Sequence, residues 1–207
     1  IIRSRTAGQS RIETSILNNT DQYHFTVRSF QTNYTYFEIE VLIRANGPCG
    51  DAQPPSKRIC TPVPHIHVFQ TETFTVLNGN MGYYLSSLTQ PNYCNSSCSP
   101  LVVQPQIPHT FWMSGEENLL VRVRLEPADR EGSREQFFEN LVGLYRDASA
   151  KNKTPPLLAL LVLLNHAEIY PATLPLSIGK LILKLGALLG RILGHQTSYE
   201  EYTTATV

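Results

Sequence analysis

Two histidines and a glutamate in residues 64–79, PHIHVFQTETFTVLNG, are of the types that bind metal ions in proteins. His65 and His67 are two positions apart, so in a β-strand their side chains lie on the same face, roughly 6 to 7 Å apart along the backbone. Glu72 is at an odd offset from His67, and one unbroken strand would turn it to the opposite face. We therefore predict a bend near Gln70 and Thr71, after which a second strand carries Glu72.

This spacing resembles the first metal-binding motif of the cupin superfamily, in which His-x-His is followed by Glu after four residues and by Gly after six more. Gly79 occupies the glycine position. The second cupin motif approaches a single histidine through a proline-rich segment, and residues 103–112, VQPQIPHTFW, resemble it with His109 in that place. The resemblance extends from about residue 36 to the end of the chain. It is closest in form to single-domain cupins of bacteria and fungi that carry a helical C-terminal extension.

The resemblance implies one metal site formed by His65, His67, Glu72 and His109. Three imidazoles and one carboxylate can hold Fe, Mn, Ni, Cu or Zn and leave coordination positions open for other ligands. Glu72 is then also the candidate catalytic residue, because a carboxylate beside a metal ion can act as a base. The alternative is a barrel that has lost its metal and retains these polar residues.

The strands that carry the candidate ligands should also line the cavity next to the ion. The pocket residues that we predict, from the period of two along each strand, are Phe74, Val76, Phe111 and Met113. The alternative is that these side chains only fill the core. Gln106 stands where cupins usually have glycine, and Met113 where they usually have asparagine. The cavity should therefore be rather apolar, which favours an aromatic or polyketide-like substrate over a small polar acid.

Hydrophobic alternation over most of the chain predicts an all-β sandwich or barrel, for example in residues 36–44 and 119–126. The resemblance narrows this to a mainly β fold, a cupin-type β-barrel (jelly roll) with a C-terminal set of about three α-helices. We predict a barrel with N-terminal strands over residues 1–127 and a helical extension that packs on it over residues 128–207. Residues 89–100 are predicted to form a loop.

The third predicted helix, residues 174–193, is apolar except for one narrow polar face. That face consists of Ser177, Lys180, Lys184 and Arg191. A transmembrane span would bury three cations, which argues against it. A membrane-surface helix is physically reasonable, because basic residues lie opposite leucines. We favour a helix packed against the barrel or against the partner in a homodimer, because its three glycines permit close approach.

Cysteines and glycosylation patterns together favour an oxidising compartment. We predict two local disulfides, Cys49 with Cys60 and Cys94 with Cys98, although four cysteines allow three connectivities and a zinc site is the competing interpretation. The asparagines that fit the N-glycosylation pattern are Asn18, Asn33, Asn95 and Asn152. We therefore predict a location in the secretory pathway or outside the cell. The sequence contains no signal peptide, so we expect the mature chain to begin after one.

The formal net charge is 0 and the basic residues are scattered, which argues against nucleic-acid binding. We expect a metal-dependent cupin enzyme with a small apolar or aromatic substrate, in first place an oxygenase or other oxidoreductase. One alternative is a metal-assisted isomerase, cyclase or decarboxylase of the kind found in fungal secondary metabolism. Another is a non-catalytic binding or storage cupin that a metal ion stabilises.

Overall fold

The structure is a computed structural model that describes residues 3–13, 21–47, 63–98 and 100–203. Within these ranges the chain forms eleven β-strands and three α-helices. The strands are β1 (Arg11–Glu13), β2 (Gln22–Val27), β3 (Phe37–Ile43), β4 (His65–His67), β5 (Thr71–Asn78), β6 (Asn80–Leu85), β7 (Ser87–Asn95), β8 (Leu101–Val103), β9 (His109–Ser114), β10 (Leu119–Glu126) and β11 (Ile169–Pro171). The helices are α1 (Gln136–Ser149), α2 (Leu157–Ala167) and α3 (Leu176–Ile192). The predicted fold class, mainly β with a C-terminal helical part, is confirmed.

The strands form two antiparallel sheets that enclose one core. One sheet has the order β1-β2-β3-β10-β5-β8 and the other has the order β11-β4-β9-β6-β7. From β3 to β11 the chain changes sheets at every connection except that between β6 and β7, which is the pattern of a jelly roll. Buried side chains of both sheets, such as Ile39 and Val121 from the first and Met81 and Met113 from the second, form one cluster.

The residues of β3 and β10 are alternately buried and more exposed, as the alternation of apolar and polar residues in the sequence predicts. Every second residue of β3 is buried, and β10 has the same period. The two strands pair with Val121 opposite Val41, so their apolar sides face the core together. Between β4 and β5 the chain bends at residues 68–70, and β5 then buries Glu72 and Phe74 on one face. The predicted bend is confirmed.

The predicted loop at residues 89–100 is wrong over most of its length, because β7 runs through Asn95 and pairs with β6. This strand is the outer strand of its sheet, and most of its residues are exposed. A strand exposed on both faces has no reason to alternate, and Pro91 is tolerated because one edge of an outer strand needs no hydrogen bonds. The sequence of β7 therefore lacks the usual strand signal.

The helical region is attached to the barrel through polar contacts and through a strand. Arg28 of the barrel forms an ion pair of 2.6 Å with Glu139 of α1, whose side chain is buried. The side-chain amide of Gln70 donates to the backbone oxygen of Ser133 at 2.7 Å. Strand β11, which lies between α2 and α3 in the chain, pairs with β4. The C-terminal region thus completes one sheet of the barrel, and the boundary after residue 127 stays a prediction.

Candidate metal centre

The structure brings the four predicted ligands together inside the barrel. His65 and His67 lie on β4, and His109 lies on the neighbouring strand β9, directly opposite His65. Glu72 lies on β5, in the facing sheet. One donor atom from each of the four residues lies within 4.8 Å of all the others. The two sheets therefore present a compact set of three imidazoles and one carboxylate.

The distances within this cluster suit a shared ion. Nε2 of His109 is 2.7 Å from Oε2 of Glu72, and Nε2 of His67 is 3.4 Å from the same oxygen. Nε2 of His65 is 3.2 Å from Nε2 of His67. Ligands that each lie about 2.1 Å from one ion are separated from each other by about 3 to 3.5 Å in the usual coordination geometries. Only small movements would convert the observed spacing into coordination.

Two of the imidazoles are oriented by backbone carbonyl groups. Nδ1–H of His65 donates to the oxygen of Val63 at 2.9 Å, and Nδ1–H of His109 donates to the oxygen of Ile107 at 2.9 Å. A histidine held in this way carries its proton on Nδ1 and turns Nε2 towards the centre of the cluster. Nδ1 of His67 is buried and has no hydrogen-bond partner among the described residues. A cavity of about 20 Å³ that borders His67 has room for one water.

Three of the four residues of the cluster are buried, and His65 is the most exposed. His67, Glu72 and His109 are buried, whereas His65 is half-buried. Burial, together with the nearby His109 and His67, lowers the pKa of His65 to about 3. His65 is therefore neutral at physiological pH and keeps its lone pair for a metal ion.

Glu72 and His109 shift each other's ionisation in the directions expected of an ion pair. Burial opposes ionisation of Glu72, but the charge of His67 and hydrogen bonds from His109 and His67 outweigh it, so the pKa of the carboxyl is below its usual range. Burial likewise lowers the pKa of His109, but the hydrogen bond to Glu72, the charge of Glu72 and the hydrogen bond to the oxygen of Ile107 together raise it by more. When Nε2 of His109 is protonated it donates to Oε2 of Glu72, and a metal ion bound by both residues would displace that proton. The donor set fits a divalent transition metal.

The predicted pocket residues lie on the inner faces of the same strands. Phe74, Val76 and Met113 are buried members of the main core cluster, and Phe111 is half-buried against it. The ring centre of Phe74 is 6.3 Å from that of His109 and 5.0 Å from that of Phe111. Aromatic side chains therefore border the histidine cluster, while their role in binding a substrate stays a prediction.

The structure does not support the predicted disulfide between Cys94 and Cys98, because both are free thiols. Cys94 donates to the backbone oxygen of Asn95 at 3.5 Å, and the N–H of Asn95 donates to the sulfur of Cys98 at 3.2 Å. The backbone of Asn95 thus provides hydrogen-bond partners for both sulfurs. Cys49, Cys60 and the glycosylation candidate Asn18 lie outside the described residues. Asn33, Asn95 and Asn152 are exposed, and their glycosylation, like the secretory location, stays a prediction.

The topology and the origin of the four ligands describe the fold. The residues of the first motif form β4 and β5 in facing sheets, and those of the second motif form β9 beside β4. The fold is a two-sheet jelly roll of the kind found in cupins.

Comparisons with known sequences and structures give matches of low sequence identity. No protein-family model matches the sequence. A curated protein of Hypocrea virens described as "Probable oxidoreductase virH" is 29% identical over 146 residues, which cover 67% of this chain and 66% of that protein. The chain thus spans just under two thirds of the length of this relative.

Three solved structures illustrate the similarity of fold. A conserved double-stranded β-helix protein of Klebsiella pneumoniae has 12% identity and a TM-score of 0.39, over 61% of this chain and 85% of that chain. A cupin-like protein of Thermotoga maritima has 9% identity and a TM-score of 0.39, over 62% of this chain and 80% of that chain. The polyketide cyclase RemF of Streptomyces resistomycificus has 14% identity and a TM-score of 0.41, over 60% of this chain and 80% of that chain.

Sequence patterns miss some of the parts that support this site. The carbonyl groups of Val63 and Ile107 orient two ligands, but any residue type can supply a backbone oxygen. Strand β11 pairs with β4 so that Ile169 lies opposite His67. Three residues between two helices are too few to show a period of two. The prolines near Ile107 are the one signal for an unusual backbone before His109.

Proposed function

We propose that this cupin is a metal-dependent enzyme that acts on a small apolar or aromatic molecule, and that it is an oxidoreductase, most simply an oxygenase. The observation that carries the proposal is the convergence of His65, His67, Glu72 and His109 within 4.8 Å in the barrel interior. The similarity to a Hypocrea virens protein described as an oxidoreductase supports the reaction class. Fe, Mn, Ni and Cu fit the donor set and support redox chemistry, whereas Zn fits it without redox chemistry.

The bound ion would supply Lewis acidity and, for a redox-active metal, electron transfer at coordination positions that the four side chains leave open. The histidines would contribute the lone pairs of their Nε2 atoms. The hydrogen bonds at Nδ1 of His65 and His109 turn these atoms towards the centre of the cluster. Glu72 contributes the single negative charge of the donor set, which leaves a divalent site with a net positive charge. That charge attracts an anionic or enolisable substrate group.

Glu72 is better suited to ligation than to proton abstraction. The lowered pKa of its carboxyl means that the carboxylate has little affinity for a proton, so it is a weak base and a dependable ligand. A substrate would approach from the side of His65, where the cluster is least buried. Phe74 and Phe111 would contact an apolar or aromatic part of it.

A second candidate is a non-catalytic cupin whose metal ion stabilises the barrel. It is favoured by the packing of Phe74, Val76 and Met113 into the main core, which is the alternative role for the predicted pocket residues. In that case the ion would join the two sheets through Glu72 and the histidines without a nearby substrate cavity.

The decisive experiment compares protein reconstituted separately with Fe(II), Mn(II), Ni(II), Cu(II) and Zn(II) against a panel of phenolic and polyketide-type aromatic compounds. Oxygen uptake and product formation are measured with and without O2. Substrate-dependent O2 consumption that is lost in His67→Ala would support the proposal. Turnover with Zn(II) under anaerobic conditions would instead indicate an isomerase, cyclase or decarboxylase. Tight metal binding that raises the melting temperature without turnover of any compound would indicate the non-catalytic cupin.

A further inference from the structure

Helix α3 presents a continuous apolar face to solvent. Eight leucine and isoleucine residues between positions 178 and 193 are 46 to 72% exposed. The area that they expose is on the order of 800 Å², whereas the largest apolar patch of a typical monomer is about 300 to 600 Å². A patch of this size on a small protein marks an interaction surface.

This face is not the one that attaches α3 to the rest of the protein. The attached face is a narrow stripe that contains the buried residues Leu183 and Ala187. Leu183 packs with Val68 and Tyr170 next to the metal-binding strand β4. Gly190, on the same side, lies against α2. The exposed leucines and isoleucines point away from these contacts, so folding of the single chain does not require them.

The spacing of the exposed residues is that of a helix–helix seam. Ile178, Leu181, Leu185, Leu188 and Ile192 follow one another at steps of three, four, three and four residues. This is the heptad pattern of positions a and d in a coiled coil, here with Ile at two a positions and Leu at both d positions. Such a combination favours two-stranded packing. Ile182 and Leu189, each one position after a d residue, widen the apolar face beside this seam.

The residues beside the seam distinguish a second protein copy from a membrane surface. The cations Lys184 and Arg191 lie along one edge of the seam, and Ile182 and Leu189 lie along the other. The exposed face of α3 contains no Trp, Tyr or Phe, the residues that anchor proteins at lipid interfaces. The chain has a formal net charge of 0 and thus no overall attraction to anionic lipids. Among the described helices, none is long and apolar enough to span a membrane.

The longest segment outside the described residues is poorly suited in composition to cover this face. Residues 48–62, PCGDAQPPSKRICTP, contain one large aliphatic side chain, Ile59, among prolines and polar residues. By contrast, an identical helix offers an equal apolar area, and about 800 Å² from each partner is the size of a standard protein–protein interface. The surface is therefore large enough for a stable dimer.

We propose that the exposed face of α3 is the contact between two copies of this chain, with α3 packed against α3 about a twofold axis. Because α3 also packs on β11, and β11 pairs with the ligand strand β4, the dimer would support the sheet that carries His65 and His67. The interface requires neither metal nor substrate, so it is tested independently of the proposed function.

The test is sedimentation velocity of the full chain and of the double variant Leu185→Lys/Leu188→Lys. Both leucines are 58% exposed, so the variant should keep the circular dichroism spectrum and the metal content of the wild type. We expect the wild type to sediment with twice the mass of the chain and the double variant to sediment as a monomer. The matched control is Val102→Lys on β8, an apolar residue that is 47% exposed away from α3, which should remain dimeric.

Two results would overturn the proposal. One is a wild type that is monomeric at micromolar concentration, and the other is a dimer that the double variant retains. Co-sedimentation with vesicles of phosphatidylcholine and phosphatidylserine distinguishes a membrane-binding face from a dimer contact. A monomeric wild type that binds these vesicles, together with a double variant that does not, would assign the face of α3 to a lipid surface instead.

Discussion

Glu72 and His109 lie on strands of opposite sheets, and Oε2 of Glu72 is 2.7 Å from Nε2 of His109. This contact crosses the interior of the barrel, where both side chains are buried. An ion coordinated by both residues would connect the two sheets directly. Metal binding should therefore stabilise the folded barrel as well as provide chemistry, because a ligand that binds only the folded state raises its stability.

Replacement of His67 by Ala should remove most of the bound metal and leave the barrel folded. The change deletes one of three imidazole donors, and loss of a ligand should weaken binding by about 100-fold or more, since even the partners that support ligands contribute 10- to 100-fold. Metal content measured by mass spectrometry on protein purified in parallel checks this. The control is His24→Ala, which removes a histidine that lies 3.6 Å from Glu40 outside the cluster. Equal metal content in the wild type and His67→Ala would contradict the assignment.

Replacement of Glu72 by Gln should weaken metal binding by at least about tenfold, because the site loses its negative charge but keeps a side chain of the same shape. Titration of the metal-depleted protein with Zn(II) in a calorimeter measures the change. Glu40→Gln is the matched control, since Glu40 forms a 2.8 Å ion pair with Arg122 on the barrel surface. An affinity for Zn(II) in Glu72→Gln that equals that of the wild type would show that the carboxylate is not a ligand.

Metal affinity should fall as the pH is lowered. The hydrogen bond to Glu72, the charge of Glu72 and the hydrogen bond to Ile107 together outweigh the effect of burial and raise the pKa of His109, so at lower pH its Nε2 carries a proton that the metal must displace. Below that pKa, each further pH unit should weaken binding about tenfold for one displaced proton. His65, with its pKa lowered to about 3, should release no proton when the metal binds near neutral pH. Zn(II) titrations in buffers of different ionisation enthalpy count the protons released, and an affinity that is constant between about pH 5 and pH 8 would refute the prediction.

The residues that alternate between a buried and an exposed face could be predicted from the sequence. In β5 and β10 the alternating apolar residues are the ones that enter the core, and the predicted inward position of Glu72 follows from the same period. Strand β7 could not be predicted in this way, because an outer strand with solvent on both faces does not need an apolar side. The alternation of apolar residues indicates which positions are buried. It indicates a strand only indirectly.

The meeting of the four ligands was predictable only through the cupin resemblance. Period two places His65 beside His67, but nothing in their spacing shows that β9 pairs with β4 and brings His109 opposite His65. The orientation of the rings depends on the carbonyl groups of Val63 and Ile107, whose positions follow from loop geometry. The structure does not support the predicted disulfide between residues 94 and 98, and close spacing of two cysteines does not determine their redox state.

Replacement of Gly190 by Ala should destabilise the protein, because the new methyl group would lie 2.8 Å from the backbone oxygen of Leu158. Neither the helix backbone nor that oxygen can move freely, so we expect a cost of about 1 to 3 kcal/mol in the free energy of unfolding. The control is Gly179→Ala in the same helix. There the nearest atoms are 3.9 Å away, and the higher helix propensity of Ala favours the variant by up to about 1 kcal/mol.

Urea unfolding of both variants and of the wild type measures these differences from the transition midpoints. A Gly190→Ala variant that is as stable as the wild type would mean that α2 and α3 do not approach each other as closely as described. The comparison also tests whether α3 stabilises β11. Helix α3 packs on this strand, and the strand pairs with the ligand strand β4.

The central claim is that one metal ion is bound by three imidazoles and one carboxylate. Anomalous diffraction from crystals of the metal-loaded protein, recorded at the absorption edge of the metal that the purified protein contains, tests it most directly. We predict a single strong peak about 2.0 to 2.2 Å from Nε2 of His65, His67 and His109 and from the carboxylate of Glu72. A peak at another place in the chain, or no peak between these four side chains in metal-loaded protein, would contradict it.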